Sequence, residues 1–310
     1  MTKEKIKVLN IIGWGRSGST VLGNVLGHCE GFFFGGELRN IWKLSLLKNR
    51  LCGCGVPLKE CSFWNSVLKK SFGEVRNLDV SLIVKQLEKT TKSRAVALKF
   101  SPCGGKYFSS FKYSLDAIRK LYSGIQAETY CRVIVDATKA PLYSYFLSLV
   151  DELDVYVIHL IRDPRGIAYS RKKKIVQPDK ESTIYLEQFN PMNNSLLWNV
   201  RNLISEYLWK KYENKYLMVR YEDFALEPER TVSNILNFIG ESNAKTPFVS
   251  DRTVRLGHNH SVWGNPSRFK TGDVELKLDD EWRNKLGFLD KTVSTICTLP
   301  LLVKYGYKIN

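Results

Sequence analysis

The chain has 310 residues, of which 44% are hydrophobic and 25% charged, and this composition excludes a disordered chain. Lysine and arginine outnumber acidic residues by 47 to 31, so the net charge of +16 favours anionic ligands, membranes or nucleic acid as partners. No apolar stretch reaches the length of a transmembrane helix, and the run at 6–12 is too short for a secretory signal. With seven cysteines, an odd number, these features predict a cytoplasmic protein with mostly reduced thiols.

The first predicted unit is a strand, a turn and a helix. Residues 6–12 form a continuous apolar run typical of a buried strand, and a glycine-rich turn follows. Beyond the turn, Val21, Leu22, Val25 and Leu26 share one face of a predicted helix.

The same alternation returns along the chain. Strands are predicted at 132–136, 155–161 and 216–221, with helices after Pro141, after Pro164 and at 229–239. This pattern predicts an α/β fold, a P-loop-type parallel β-sheet flanked by helices on both faces. No linker or internal repeat divides the chain, so we expect a single domain over 1–310 with insertions near 50–61 and 176–195.

The turn after the first strand has the spacing of a phosphate loop. Residues 13–20 read G-W-G-R-S-G-S-T, and backbone N–H groups at the start of a helix form an anion site. Ser19 stands where a Walker loop has lysine, which weakens a kinase interpretation, and Arg16 is the expected substitute cation. A tight glycine turn without function is the alternative.

Two motifs together resemble the PAPS-binding motifs of sulfotransferases, where PAPS is 3′-phosphoadenosine-5′-phosphosulfate. The loop carries Arg16-Ser17-Gly18-Ser19, and Arg162 is followed eight residues later by Ser170, as in the family's 3′-phosphate motif. The segments 219–224 and 264–268 also resemble the family. The resemblance implies PAPS as the donor and these donor-binding residues: Arg16, Ser17, Gly18, Ser19, Thr20, Arg162, Ser170, Asn265 and Arg268.

The resemblance also implies a reaction, the transfer of a sulfuryl group from PAPS to a hydroxyl or amine acceptor by in-line displacement. The product of the donor is 3′,5′-adenosine bisphosphate, and no metal is expected. The chain looks like a bacterial-type member, similar in motif layout to the tyrosylprotein sulfotransferase branch. On that likeness Glu37 is the general base, while Arg16 and Lys139 contact the phosphosulfate and the sulfuryl oxygens.

Several alternatives remain open. Glu37 could be a helix cap, Arg39 a helix-surface charge, and a histidine the base instead, with His260 in a loop typical of a site. Asp136, at a strand end, is interpreted as a cap rather than a metal ligand. The run 171–174 could steer the donor or form a solvated helix face.

The acceptor is expected to be a small molecule, carbohydrate or lipid. Gly36 replaces an acid of the tyrosylprotein branch, so protein tyrosine is not favoured, and nucleic acid is not expected. A P-loop kinase-like, ATP-dependent transferase is the rival function. The aromatic residues Trp14, Trp42 and those at 32–34 could line an acceptor pocket or belong to the core.

Three cysteines of the first insertion, Cys52, Cys54 and Cys61, could hold zinc, but a tetrahedral structural site needs a further ligand that the insertion does not supply. A disulfide or free thiols fit the same residues, so no metal is assigned here.

Overall fold

The computed structural model describes residues 4–73, 78–90, 110–178, 184–185 and 187–309. The predicted insertion near 176–195 therefore lies partly outside the described residues, at 179–183 and 186.

The described strands are β1 (Ile6–Gly13), β2 (Phe32–Gly36), β3 (Val133–Asp136), β4 (Leu153–Ile161), β5 (Val176–Gln177), β6 (Ile184–Tyr185), β7 (Tyr216–Arg220), β8 (Phe248–Ser250), β9 (Thr253–Leu256) and β10 (Gly272–Glu275). The central sheet has the order β2-β3-β1-β4-β7, and all of its neighbouring strands are parallel. Strand β1 pairs with β4 over its whole length, from Ile6 opposite Leu153 to Gly13 opposite Leu160. The predicted parallel sheet is confirmed.

The described α-helices are α1 (Ser19–Gly27), α2 (Ser62–Phe72), α3 (Val80–Thr90), α4 (Lys112–Thr129), α5 (Pro141–Leu147), α6 (Pro164–Lys172), α7 (Pro191–Trp209), α8 (Tyr221–Leu226), α9 (Pro228–Phe238), α10 (Trp282–Lys285) and α11 (Phe288–Lys304). Proline begins α5, α6, α7 and α9, where its fixed φ and missing N–H suit the first turn. Within the described residues, none of the helices is long and apolar enough to cross a membrane.

Two hydrophobic cores cover the two faces of the central sheet. Along β1, Val8 and Ile12 pack into one core, while Leu9 and Ile11 pack into the other. All four side chains are at most 1% exposed, and full burial of such a side chain contributes about 1.5–3 kcal/mol. A strand buried on both faces has no polar alternation, which explains the continuous apolar run in the sequence.

The segment after Glu37 differs from a regular helix. A 3₁₀ turn at Leu38–Ile41 is followed by a π-helical turn at Trp42–Leu47. The region after residue 240, irregular in the sequence, contains the small antiparallel sheet β8-β9-β10.

Candidate active site

A cavity of about 540 Å³ opens at the carboxyl edge of the central sheet. Every strand of that sheet is followed by a residue of its wall: Arg16 after β1, Glu37 after β2, Lys139 after β3, Arg162 after β4 and Tyr221 after β7. Parallel strands end at the same edge of a sheet. From β1 the chain continues to β2 at one end of the strand order, and from β4 it continues to β7 at the other end, so a crevice forms where the two connections diverge. The fold therefore brings together side chains that are far apart in the sequence.

The turn between β1 and α1 depends on glycine at two positions. Gly13 has a φ of +137°, and a Cβ there would lie 2.3 Å from the carbonyl oxygen of Leu160. Gly18 has a φ of +86°, and its Cβ would lie 2.6 Å from the ring of Tyr221. Only glycine permits this close passage of the loop between β4 and α8.

The amino end of α1 has the features of an anion site. Among the described residues no side chain caps this end, where Gly18 occupies the N-cap position. Ser19 and Thr20, the first two residues of the helix, line the cavity. Ser17 does not line it and instead donates its hydroxyl to the carbonyl of Trp14 at 2.7 Å, which holds the turn in shape. An anion in the cavity would meet the positive end of the helix dipole.

Arg16 carries unused hydrogen-bond donors. Its Nη2 donates to the carbonyl of Ser170 at 3.2 Å, but its buried Nε and Nη1 have no hydrogen-bond partner among the described residues. Burial lowers the pKa of this guanidinium, and the charge of Arg162 lowers the pKa further. A buried cation with spare donors beside a second cation favours an anionic ligand at this place.

Arg162 is only 5% exposed and is held by three groups. It donates to the carbonyl of Arg16 at 3.0 Å, and to the carbonyl and carboxylate of Asp279 at 2.9 and 3.0 Å. Its guanidinium also lies over the ring of Tyr221, 4.3 Å from the centroid. Ser170, from α6, also lines the cavity, and its carbonyl accepts from Arg16, whose own carbonyl accepts from Arg162. The two residues predicted for the 3′-phosphate therefore line one cavity and both contact Arg16.

Glu37 and Lys139 form an ion pair in the cavity. The Nζ of Lys139 donates to Oε1 of Glu37, and Asn40 donates to Oε2 at 2.9 Å. Their side chains are 14% and 23% exposed, so both groups remain accessible from the cavity. The backbone N–H of Glu37 donates to the carbonyl of Trp263 at 3.3 Å, which fixes the segment that carries the carboxylate.

Asp136 supports these two residues from below. Its Oδ1 accepts from the backbone N–H groups of Leu38 and Thr138 at 3.2 and 2.8 Å, and Oδ2 accepts from Tyr122 at 2.6 Å. The residue is fully buried, and this burial raises the pKa of its carboxyl group. Asp136 thus accepts hydrogen bonds from backbone N–H groups as a cap does, which agrees with its interpretation from the sequence.

Asn265 and Arg268, the predicted donor-binding residues of the last loop, lie in different places. Asn265 lines the cavity, and its backbone N–H donates to Thr20 Oγ1 at 3.1 Å. Arg268 is fully buried outside the cavity wall and donates to the carbonyls of Ser261 and Leu51 at 2.7 and 2.8 Å. Its observed contacts are those of a residue that joins two loops.

The four histidines and Arg39 also lie outside the cavity wall. His159 is buried between Tyr216 and Asn202, at 2.7 and 2.8 Å. His28 accepts from the backbone N–H of Gly257 at 2.8 Å, His258 is exposed, and His260 lies against cysteines of the first insertion. Arg39 is partly buried and donates to the carbonyl of Leu87 at 3.4 Å, so it is not a freely solvated surface charge.

The aromatic residues near Glu37 belong to the core instead of the cavity. Phe32, Phe34 and Trp42 are at most 8% exposed, and the partly buried Phe33 packs against the core that contains Trp42. Trp14 packs against the cluster of buried residues that includes Trp198.

Sequence reasoning missed two acidic residues of the cavity, Asp279 and Glu187, and named Arg171 only as part of the basic run 171–174. Arg171 is 6% exposed and stacks on Trp14 and Phe189, with centroid distances of 4.6 and 4.5 Å; burial lowers its pKa to about 10. The basic run at 171–174 was the available signal, but it covers different environments, since Lys172 is exposed and pairs with Asp290. Asp279 had no motif around it.

Comparisons with known proteins identify the family of the chain. The family model described as a sulfotransferase domain matches residues 8–270. Human carbohydrate sulfotransferase 1 is 26% identical over 218 residues, covering 63% of this chain and 51% of the relative, and the zebrafish (Danio rerio) protein of that name is 27% identical over 195 residues, covering 57% and 44%.

The chain thus spans about half the length of the curated relatives that it matches. Among solved structures, the sulfotransferase domain from the Synechococcus PCC 7002 olefin synthase aligns with a TM-score of 0.49 and 18% identity, covering 99% of this chain and 97% of that chain. The match of the family model covers most of the chain and includes the phosphate loop, Arg162, Ser170 and Asn265. The chain therefore belongs to the sulfotransferase family, whose members are transferases.

Proposed function

We propose that the chain transfers a sulfuryl group from PAPS to a hydroxyl or amine acceptor and releases 3′,5′-adenosine bisphosphate. The observation that carries the proposal is that three groups of residues line a single cavity: the phosphate loop with Arg16, the pair Arg162 and Ser170, and Glu37 with Lys139. The kinase alternative is not favoured, because the matching family is that of sulfotransferases and Ser19 replaces the Walker lysine.

The residues fit a donor with two separate phosphate groups. Buried donor atoms of Arg16 and Arg171 have no hydrogen-bond partner among the described residues, although each belongs to a cationic side chain in the cavity wall. Buried polar atoms of this kind are costly unless a ligand or water satisfies them. We assign the 5′-phosphosulfate to the loop and Arg16, and the 3′-phosphate to Arg162 and Ser170.

In the proposed reaction, Glu37 takes the proton of the acceptor hydroxyl while the acceptor oxygen bonds to sulfur. The bond between sulfur and the 5′-phosphate oxygen breaks, and its electron pair remains on the leaving phosphate. The backbone at the amino end of α1 and Arg16 stabilise that negative charge, and Lys139 holds the sulfuryl oxygens as they move. Lys139 and Glu37 form an ion pair, so the proposed base lies next to the cation that would bind the sulfuryl oxygens.

For the acceptor we propose a carbohydrate hydroxyl as the first class to test. The support is that the curated relatives are named carbohydrate sulfotransferases, at 23–27% identity. A small metabolite or lipid hydroxyl is the second class. We also propose the cytoplasm as the compartment, since an odd count of seven cysteines favours reduced thiols.

The test is thermal unfolding of the full chain with 3′,5′-adenosine bisphosphate, AMP, or ATP with Mg²⁺, each at a hundred times its dissociation constant where measurable. Filling a site at that excess adds about 2.7 kcal/mol to the free energy of unfolding. We expect the bisphosphate to stabilise the chain with chelator present, and ³⁵S-labelled PAPS then to label a carbohydrate acceptor. Stabilisation by Mg-ATP alone would contradict the proposal.

A further inference from the structure

The first insertion and the last loop meet in a cluster of potential metal ligands. Cys52, Cys54, Cys61 and His260 place three sulfur atoms and one imidazole nitrogen within 4.8 Å of one another. His260 comes from a segment 199 residues after Cys61, so the fold rather than local spacing supplies the fourth group. Cys52 and Cys61 are buried, and Cys54 and His260 are partly exposed.

Three of the distances between these atoms agree with the geometry of a single tetrahedral ion, and all of them are at most 4.8 Å. With zinc–sulfur and zinc–nitrogen bonds of about 2.3 and 2.05 Å, tetrahedral ligands lie about 3.8 Å apart for two sulfurs and about 3.6 Å for sulfur and nitrogen. The Sγ atoms of Cys54 and Cys61 are 3.7 Å apart, and His260 Nδ1 is 3.4 Å from Cys61 Sγ and 3.7 Å from Cys52 Sγ.

The same distances disfavour a disulfide. A disulfide brings two sulfurs to about 2.05 Å, and it would leave the third thiol without a covalent partner. A metal ion, in contrast, can bind all three thiols and the imidazole at the observed distances. An iron–sulfur cluster would need its ligand atoms further apart, because bridging sulfides and several irons lie between them.

The surroundings of the cluster suit a bound ion. The ring of Phe63 stacks on the imidazole of His260 with a centroid distance of 4.4 Å and an angle of 13°, and Trp64 donates to the carbonyl of His260 at 2.7 Å. These contacts orient Nδ1 toward the sulfurs. Three thiolates and a neutral imidazole around Zn²⁺ carry a net charge of −1. The buried guanidinium of Arg268 donates to the carbonyls of Ser261 and Leu51, which are next to His260 and Cys52 in the sequence, so a cation lies near the site.

We infer that Cys52, Cys54, Cys61 and His260 form a structural zinc site. Binding of Zn²⁺ displaces the three thiol protons, so the site holds a metal only with its cysteines reduced. All four protein ligands are present and the ion has no open position, which is the arrangement of a structural rather than a catalytic zinc. The proposed sulfuryl transfer does not depend on this ion, and the two proposals fail separately.

The zinc would connect the first insertion to the wall of the cavity. Two residues beyond His260, Val262 donates to the carbonyl of Gly35, and Trp263 accepts from the N–H of Glu37, at 2.9 and 3.3 Å. The backbone N–H of Gly53 donates to the carbonyl of Ser261 at 2.9 Å. A metal here would fasten the loop that carries Trp263 and its neighbours in the cavity.

The experiment measures zinc by elemental mass spectrometry in the full chain, purified with reductant from a zinc-supplied culture. We expect about one zinc per chain in the wild type and in His260→Cys, which keeps four ligands, and less than a tenth of that in Cys61→Ser and His260→Ala. Cys297→Ser is the matched control, a partly exposed cysteine outside the cluster, and should keep the full content.

The wild type alone decides the matter if a variant does not fold. Cobalt added to chelator-treated wild type should give the thiolate charge-transfer absorption and the strong visible bands of tetrahedral Co²⁺. A folded wild type without zinc and without these bands would overturn the inference, as would a cysteine pair found oxidised by intact-mass measurement in non-reducing conditions. Equal zinc in His260→Ala and the wild type would also overturn it.

Discussion

Replacement of Arg162 by alanine should weaken binding of the 3′-phosphate selectively. The guanidinium is 5% exposed and lies beside Ser170 in the cavity wall, so its interaction with a phosphate would be little screened by water. A hydrogen bond to a charged group contributes about 1.5–3 kcal/mol, which corresponds to a loss of roughly 10- to 100-fold in affinity.

The assay is isothermal titration calorimetry with 3′,5′-adenosine bisphosphate and with AMP, which lacks the 3′-phosphate. We expect the loss for the bisphosphate and a change within about twofold for AMP. Lys172→Ala is the matched control: it removes one positive charge from α6, the helix that follows Arg162, but outside the cavity wall, and should change neither affinity. An equal loss for both ligands in Arg162→Ala would refute the assignment of this residue to the 3′-phosphate.

Three further predictions concern Glu37, Asp279 and His159. Glu37→Gln should lower the turnover of PAPS by at least about 100-fold, the lower range for loss of a general base, with bisphosphate affinity unchanged in calorimetry; near-normal turnover would remove it as the base. Asp279→Asn should tighten bisphosphate binding about 2- to 5-fold, because the carboxylate of Asp279 competes with the phosphate for Arg162. A partly exposed ion pair of this kind contributes up to about 1 kcal/mol, which the phosphate must replace. Unchanged or weaker binding would argue against competition. Burial lowers the pKa of His159 to about 4. Between about pH 6.5 and pH 4 the histidine is therefore protonated in the unfolded state but not in the folded state. The free energy of unfolding should fall by up to about 1.4 kcal/mol for each pH unit of acidification in this window. Urea unfolding of His159→Gln should show a shallower fall than the wild type over this window, and identical slopes would contradict the reasoning.

The sheet was largely predictable from the sequence, since its strands are buried on both faces. The run predicted at 6–12 is strand Ile6–Gly13, and that predicted at 155–161 is Leu153–Ile161. The periodicity analysis did not predict the strand before Glu37, because the five residues Phe32–Gly36 are too short to give a periodic signal.

The cavity was predictable where a motif joins its residues and not where the fold alone does. Spacing within motifs indicated Arg16, Arg162 and Ser170, and all three line the cavity. Asp279 reaches Arg162 from 117 residues away, and local spacing holds no information on such a contact. His260 was noted as a residue of a site loop, but its position against the cysteines depends on how two distant loops pack.

The stacking of Arg171 against both Trp14 and Phe189 has a consequence for how tightly an anion can be held. A free arginine side chain has about 2 kcal/mol of rotamer entropy, much of which is lost when it grips a ligand. Here the two rings already restrict the guanidinium before any ligand binds. The rotamer entropy of the side chain is therefore lost when the protein folds and does not weaken ligand binding. Replacing either ring with a small side chain would therefore loosen the grip on an anion while leaving every charge in place.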